Sequence, residues 1–175
     1  HSRTDYDLKS HQQYSKRKIQ YFDSELNKSY IPYVIETSIG LDRMFLAIMC
    51  NSYKEEEIND NEKRIVLSIP QFLAPIKLAI LPLTKKDGLS EKAKKIFNDL
   101  KLEFNCCYEE KDSIGKRYRR QDAIGTPFCL TIDHQTLEDD TCTLRYRDKM
   151  NQKRVKIKEV SEIIDKEVNL KNFIV

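Results

Sequence analysis

Three side chains that could do chemistry stand close together in YVIETSIGLDR, residues 33–43: Glu36, Ser38 and Arg43. A β-branched and aromatic run ends in a carboxylate, a small hydroxyl and a glycine, and an apolar segment follows. A carboxylate and a hydroxyl at the end of a strand can hold a small cationic ligand. A guanidinium just inside the next helix can stack on or pair with a phosphorylated base. The competing reading is an arginine salt-bridged near a helix start. A second concentration lies in SIGKRYRRQDAIGTPF, residues 113–128, which carries Lys116, Arg117, Arg119 and Arg120. LRYRD adds Arg145 and Arg147, and KRVKIK adds Lys153, Arg154, Lys156 and Lys158. Each cationic run reads either as a solvated face or as a surface that meets a polyanion.

Other chemistry finds little support. His134 falls in DHQTLEDD, read as an exposed loop, with no serine or cysteine in a nucleophile-elbow setting beside it. The GKR at 115–117 lacks the rest of a phosphate-loop frame. The 5 cysteines form no C-x-x-C pair, and most sit in apolar runs. A zinc site or disulfide framework is not expected, and a reducing cytoplasm is the natural compartment. A formal charge of +3 is too mild to announce a nucleic-acid binder, so local clustering must carry that claim. With 39% hydrophobic and 34% charged residues the chain can build a core. No run approaches the ~20 apolar residues of a membrane span. The chain opens at His1 as though in the middle of something, and is expected to be a fragment.

These residues need elements to hold them. RTDYDLKSHQQYS reads as a helix with Thr4 or Asp5 as N-cap, and KRKIQYFD and KSYIPYVIET as a hairpin around SELN. IGLDRMFLAIMCNSY has helical apolar spacing and is expected to be largely buried. The acidic stretch 51–63 reads as an exposed loop, followed by a strand that ends at Pro70 and Pro75, the expected linker. Strand and helix patterns then alternate: IKLAILPL, LSEKAKKIFNDLK with Ser90 as N-cap, EFNCCYEE, DSIGKRYRRQDAIG capped by Asp112 or Ser113, and TPFCLTID. TCTLRYRD, KRVKIKE and the helix VSEIIDKEV complete the order. That order predicts an α/β fold: a mixed five-stranded sheet with flanking helices, parallel strands first and an antiparallel edge after. In 114–124 the apolar stripe is thin, only Ile114, Tyr118 and Ile124, so the cations are expected to dominate its exposed surface. Arg145 and Arg147 alternate with Tyr146 and should project to one face.

ETSIGLDRMFLAIM resembles motif 3 of class II aminoacyl-tRNA synthetases, a strand, a Gly-x-x-Arg turn and a hydrophobic helix, in its glycyl-tRNA synthetase form. RTDYDLKSHQ is similar to the segment before motif 3. FLAPIKLAILPL, GKRYRRQDAIGTPFCLTID and DDTCTLRYRDKMNQKRVKI are similar to the anticodon-binding domain of the dimeric type. The resemblance covers essentially the whole chain. It implies that 1–68 is the end of a class II catalytic domain, a partial antiparallel sheet with motif 3 at 33–49, and that 69–175 is the anticodon-binding domain. It implies Glu36 and Ser38 as ligands of the glycine amino group, and Arg43 as the arginine that stacks on the ATP adenine. The expected tRNA contacts are Lys116, Arg117, Arg119, Arg120, Arg145 and Arg147. Thr37 stands where the family usually has proline, and Asp42 where a small residue is common. The implied parent is a glycine–tRNA ligase using ATP and Mg²⁺, homodimeric and not membrane-bound, with tRNA-Gly as partner. Nothing resembles motifs 1 and 2, so the chain alone is expected to be inactive, to hold no cofactor and to serve mainly in anticodon recognition. The alternatives are a non-catalytic accessory or RNA-binding protein that reuses the domain, and a small α/β binding module.

Overall fold

The computed structural model describes residues 2–59 and 62–174. The described residues form two compact units, one up to Leu46 and one from Ala47 onward.

The first unit begins with helix α1 (Tyr6–Ser15), whose N-cap Asp5 makes no side-chain capping bond. Arg3–Asp7 and Lys9–Asp5 ion pairs at i,i+4 hold its start. Strands β1 (Tyr21–Asp23) and β2 (Lys28–Tyr30) form the expected hairpin. Asp23 Oδ1 accepts from Glu25 N and Leu26 N at 3.0 Å, and Asn27 takes φ 48°, which closes the SELN turn. The segment before Glu36 is held by the chain start: Arg3 N donates to Val34 O at 3.1 Å and Val34 N to Thr4 O at 2.8 Å. Helix α2 (Leu41–Ser52) forms as its spacing predicts. Its burial is not as expected: Leu41 is 82% exposed, Phe45 63% and Leu46 61%. Among the described residues the first unit buries no apolar side chain, because a ten-residue helix and two three-residue strands offer too little surface to cover α2.

The second unit corrects the acidic stretch at once. Strand β3 (Tyr53–Asn59) lies where a loop was expected, and it pairs antiparallel with β4 (Glu62–Leu67), the strand expected from Arg64 onward. Period-2 alternation places Arg64 and Val66 inward, buried, while Tyr53, Glu55 and Ile65 face solvent. The run of glutamates concealed that alternation.

The main sheet has the order β6-β5-β7-β8-β9, made of β5 (Leu78–Pro82), β6 (Cys106–Tyr108), β7 (Phe128–Ile132), β8 (Thr141–Tyr146) and β9 (Gln152–Lys156). β5 runs parallel to β6 and β7, and β8 and β9 complete an antiparallel edge, as the element order predicts. Alternation along β5 and β7 splits the core. Leu78, Ile80, Phe128, Leu130 and Ile132 face helices α3 (Leu89–Leu100) and α6 (Val160–Val168). Ala79, Leu81 and Cys129 face α4 (Ile114–Ile124) through Ile114 and Tyr118.

Two local expectations change. Gly88 at φ 77°, not Ser90, caps α3, since the preceding turn needs a left-handed residue. DHQTLEDD is a short helix, α5 (His134–Asp139), because Asp133 and Thr136 form a reciprocal capping box. The cysteines are free thiols; burial pushes Cys107 up to about 11 and Cys106 and Cys142 up to about 12. Among the described residues no helix is long and apolar enough to cross a membrane.

Candidate functional site

Glu36, Ser38 and Arg43 line one hollow of ≈ 780 Å³ in the first unit. Arg3, Asp7 and His11 from the chain start and α1 line the same hollow. The extended segment paired to residues 2–4 delivers Glu36 at its end, and Gly40 O accepts from Met44 N at 3.0 Å at the start of α2, whose first turn carries Arg43. Arg3 grips Asp7 with two bonds, Nε to Oδ2 and Nη2 to Oδ1, the latter at 2.8 Å. That grip holds the Asp7 carboxyl below its ordinary value, and the carboxylates of Asp7 and then Glu36 hold Arg3 above its own. Arg43 forms no ion pair among the described residues, so the salt-bridged reading is not what the geometry shows. The hollow therefore presents a carboxylate, a hydroxyl and a guanidinium together.

The cations of the second unit separate into two populations. Lys116 is exposed, and Arg119 lies at the surface with its guanidinium 4.0 Å from Asp122. Arg120 is partly exposed but tied down: its Nε donates to Glu109 Oε1 at 2.6 Å and its Nη1 to Asp112 Oδ2 at 2.9 Å. The other three are interior, which corrects the expectation that they face RNA. Arg117 is 2% exposed, Arg145 3% and Arg147 2%. Arg117 donates to Pro82 O at 2.7 Å, Glu109 O at 3.1 Å and Leu83 O at 3.3 Å, closing the carbonyl ends of β5 and β6. Burial lowers its pKa below the ordinary arginine value, and no carboxylate among the described residues is bonded to it. Arg147 donates to Gly125 O and Ile69 O, both at 2.8 Å. Arg145 and Arg147 do share a face of the β8 line, but α4 and β4 cover that face.

Asp122 organises this interior; the sequence offers it, with Asp112, only as a partner for one or two of the cations of 116–120, and Arg120 does pair with Asp112 and Arg119 lies 4.0 Å from Asp122. Its fully buried carboxylate takes Arg145 Nη1 at 2.8 Å and Nη2 at 2.9 Å, and Arg64 Nη1 at 3.0 Å. Arg64 reaches on to Arg147 O at 3.1 Å, linking β4, α4 and β8. The signal was present: Ile114, Tyr118 and Asp122 recur at i,i+4,i+8, so the acid falls on the apolar stripe. Above this lattice sits a second hollow of ≈ 380 Å³. Tyr118 and Arg145 form its floor, the guanidinium carbon 4.7 Å from the ring centroid, and the Tyr118 hydroxyl is hydrogen-bonded to Thr131. Lys116, Arg119, Met150 and Gln152 form its rim.

Residues 77–167 match the family model described as "Anticodon binding domain". The chain belongs to the anticodon binding domain family. The matched span runs from just before β5 almost to the end of α6, so it takes in the five-stranded sheet, the buried Arg145 and Arg147 and the α4 hollow. Over nearly its whole length the chain is also similar to curated glycine–tRNA ligases. That of Chlorobaculum tepidum is 49% identical over 164 residues, 94% of this chain and 35% of the relative. That of Clostridium acetobutylicum is 50% identical over 166 residues, 95% of this chain and 36% of the relative. That of Treponema denticola is 49% identical over 178 residues, 99% of this chain and 39% of the relative. The chain thus spans between a third and two fifths of the length of these curated relatives. The resemblance to glycyl-tRNA synthetase is borne out. Among solved structures, the RNA binding domain of threonyl-tRNA synthetase from Cryptosporidium parvum Iowa II matches at a TM-score of 0.52 and 20% identity. It covers 57% of this chain and 25% of that one, a likeness of fold.

Proposed function

We propose that this chain is part of a glycine–tRNA ligase and supplies its contact with the anticodon region of tRNA-Gly. The observation that carries the reading is the α4 hollow of an anticodon binding domain, with Lys116 and Arg119 on its rim and Tyr118 in its floor. RNA loops are bound by cations on phosphates and by rings and polar groups against splayed bases. Lys116, Arg119 and the outer part of Arg120 take the phosphates; Gln152 offers an amide to a base edge. Arg117, Arg145 and Arg147 hold the frame beneath them.

The hollow of the first unit supports the ligase part. In this reading Glu36 and Ser38 receive the ammonium of glycine and Arg43 lies against the adenine of ATP, and their lining of one hollow supports it. ATP carries the activation chemistry, and the phosphate-holding cations this step needs lie outside these residues, so the chain alone is inactive. Mg²⁺ would sit on the ATP phosphates in the parent; among the described residues no three His, Cys, Asp or Glu side chains gather as a metal site. The domain organisation we favour follows the same reading: 1–68 from the catalytic domain, with a homodimeric, cytoplasmic parent, and 69–175 as the anticodon-binding domain. Binding of this chain to tRNA-Gly across a salt series tests the proposal. Several phosphate contacts require a steep linear fall of log affinity with log salt. A flat response, or no binding, overturns it.

A further inference from the structure

On the sheet face opposite α4 lies a third concave surface of ≈ 570 Å³ between α3, the end of α5 and the end of β9. Its floor is Ile96 and Ile157, the outer skin of the main core. Lys92 and Lys95 stand over it from α3, and Lys156 and Lys158 from the chain that leaves β9. Ile157 N donates to Asp140 O at 3.0 Å, which fixes the turn between the last two lysines.

The charge here is unbalanced. Of the three aspartates that line the surface, Asp140 is paired with Lys92. Asp139 spends its carboxylate on Thr141 and Gln135, and those bonds hold it below the ordinary carboxylate value. Only Asp99 faces Lys95, Lys156 and Lys158, and none of these three lysines forms an ion pair among the described residues. Three cations held around an apolar floor repel one another, and the single carboxylate of Asp99 offsets that only in part. The arrangement suits an anion that also brings a flat apolar body. Lysine is a point-charge phosphate binder, and the concavity is of the size that takes a small ligand.

We propose that this surface binds a phosphorylated nucleoside, with the phosphate among Lys95, Lys156 and Lys158 and the base on Ile96 and Ile157. The site is separate from the α4 hollow and stands or falls independently of it. Free nucleotide and the phosphorylated end of an RNA share this chemistry.

The test is an amide NMR titration of the chain with AMP, adenosine, inorganic phosphate and a 5′-phosphorylated short oligoribonucleotide. AMP should move the amides of Lys95, Ile96 and Ile157 to saturation, and both adenosine and inorganic phosphate should bind far more weakly. K95A/K158A should weaken AMP at least about fivefold, the effect of losing one charge-assisted contact. K116A/R119A, on the other face, should leave it unchanged. Tighter oligoribonucleotide than AMP makes the natural ligand an RNA end; the reverse makes it a free nucleotide. The proposal is overturned if AMP leaves these amides still, if adenosine or phosphate alone binds as well, or if K95A/K158A changes nothing.

Discussion

Lys116 and Arg117 are neighbours in sequence and opposites in environment, and this decides what each substitution does. Lys116→Ala removes an exposed cation from the rim of the α4 hollow. Its urea midpoint should stay at the parent value while affinity for tRNA-Gly falls and the salt slope shrinks by about one contact. Arg117→Ala strands the carbonyls of Pro82 and Glu109 inside the fold, so it should cost roughly 2–4 kcal/mol in the same urea experiment. Asp122→Ala leaves Arg145 buried with no carboxylate partner among the described residues and Arg64 with Glu56 alone, and should cost about 3–5 kcal/mol. A loss under 1 kcal/mol in either case would mean that the interior relaxes around them. Charge density along the chain could not separate these residues, because a cation count does not tell which side of a helix is covered. What was legible was the i,i+4 stripe of Ile114 and Tyr118; extending it to Asp122 would have put a carboxylate against the sheet and called for buried arginines.

Among the elements, the five strands of the main sheet and helices α3, α4 and α6 could be read because their apolar patterns are unambiguous at LAILP, IFNDL and FCLTI. β3 and α5 were lost because their stabilising groups are polar. α5 depends on Asp133, which accepts from Thr136 N at 3.1 Å and from both terminal nitrogens of Arg154 on β9. The bond from Arg154, then those from Thr136, hold the Asp133 carboxyl below its ordinary value. A carboxyl with a lower pKa folded than unfolded adds stability above the unfolded value, near pH 4, and loses it as pH falls through the folded value. Asp133→Asn should therefore lower stability at pH 7 and flatten the acid limb, measured by urea unfolding between pH 7 and 2. An acid limb as steep as the parent's would show that the pairing contributes nothing. The α4 glycines give a second contrast. Gly125 has φ +86°, and a Cβ would sit 3.0 Å from Leu67 O, so Gly125→Ala should destabilise by at least about 1 kcal/mol. Gly115 is an ordinary helical residue with open space around it, so Gly115→Ala should stabilise by up to about 1 kcal/mol. The same methyl narrows the α4 hollow, so tRNA affinity should fall as stability rises.

Across the whole molecule, apolar burial is distributed very unequally. Every buried apolar side chain among the described residues lies at Val66 or later, although the earlier part carries Tyr21, Phe22, Tyr33, Ile35, Met44 and Phe45. Composition says only that a core can form, and a pattern says which side of a helix is apolar, not whether anything is present to cover it. α2 has the pattern of a buried helix and is exposed in this chain. The relatives that match it are more than twice as long, which fits an α2 that is covered in a longer protein. Without burial, local hydrogen bonds such as Arg3 N to Val34 O are left to hold the first unit, and each contributes only about 1 kcal/mol net. Amide exchange of this chain should then show strong protection in β5 and β7, close to the global unfolding free energy, and little in residues 2–40. A variant that starts at residue 41 should keep the urea midpoint of the parent and most of its affinity for tRNA-Gly, because the α4 hollow and its arginine lattice lie wholly in the second unit. Protection of residues 2–40 equal to that of β5 would show that the first unit is stabilised by something other than apolar burial, and the hollow of Glu36, Ser38 and Arg43 would then be preformed in this chain rather than completed in a longer one.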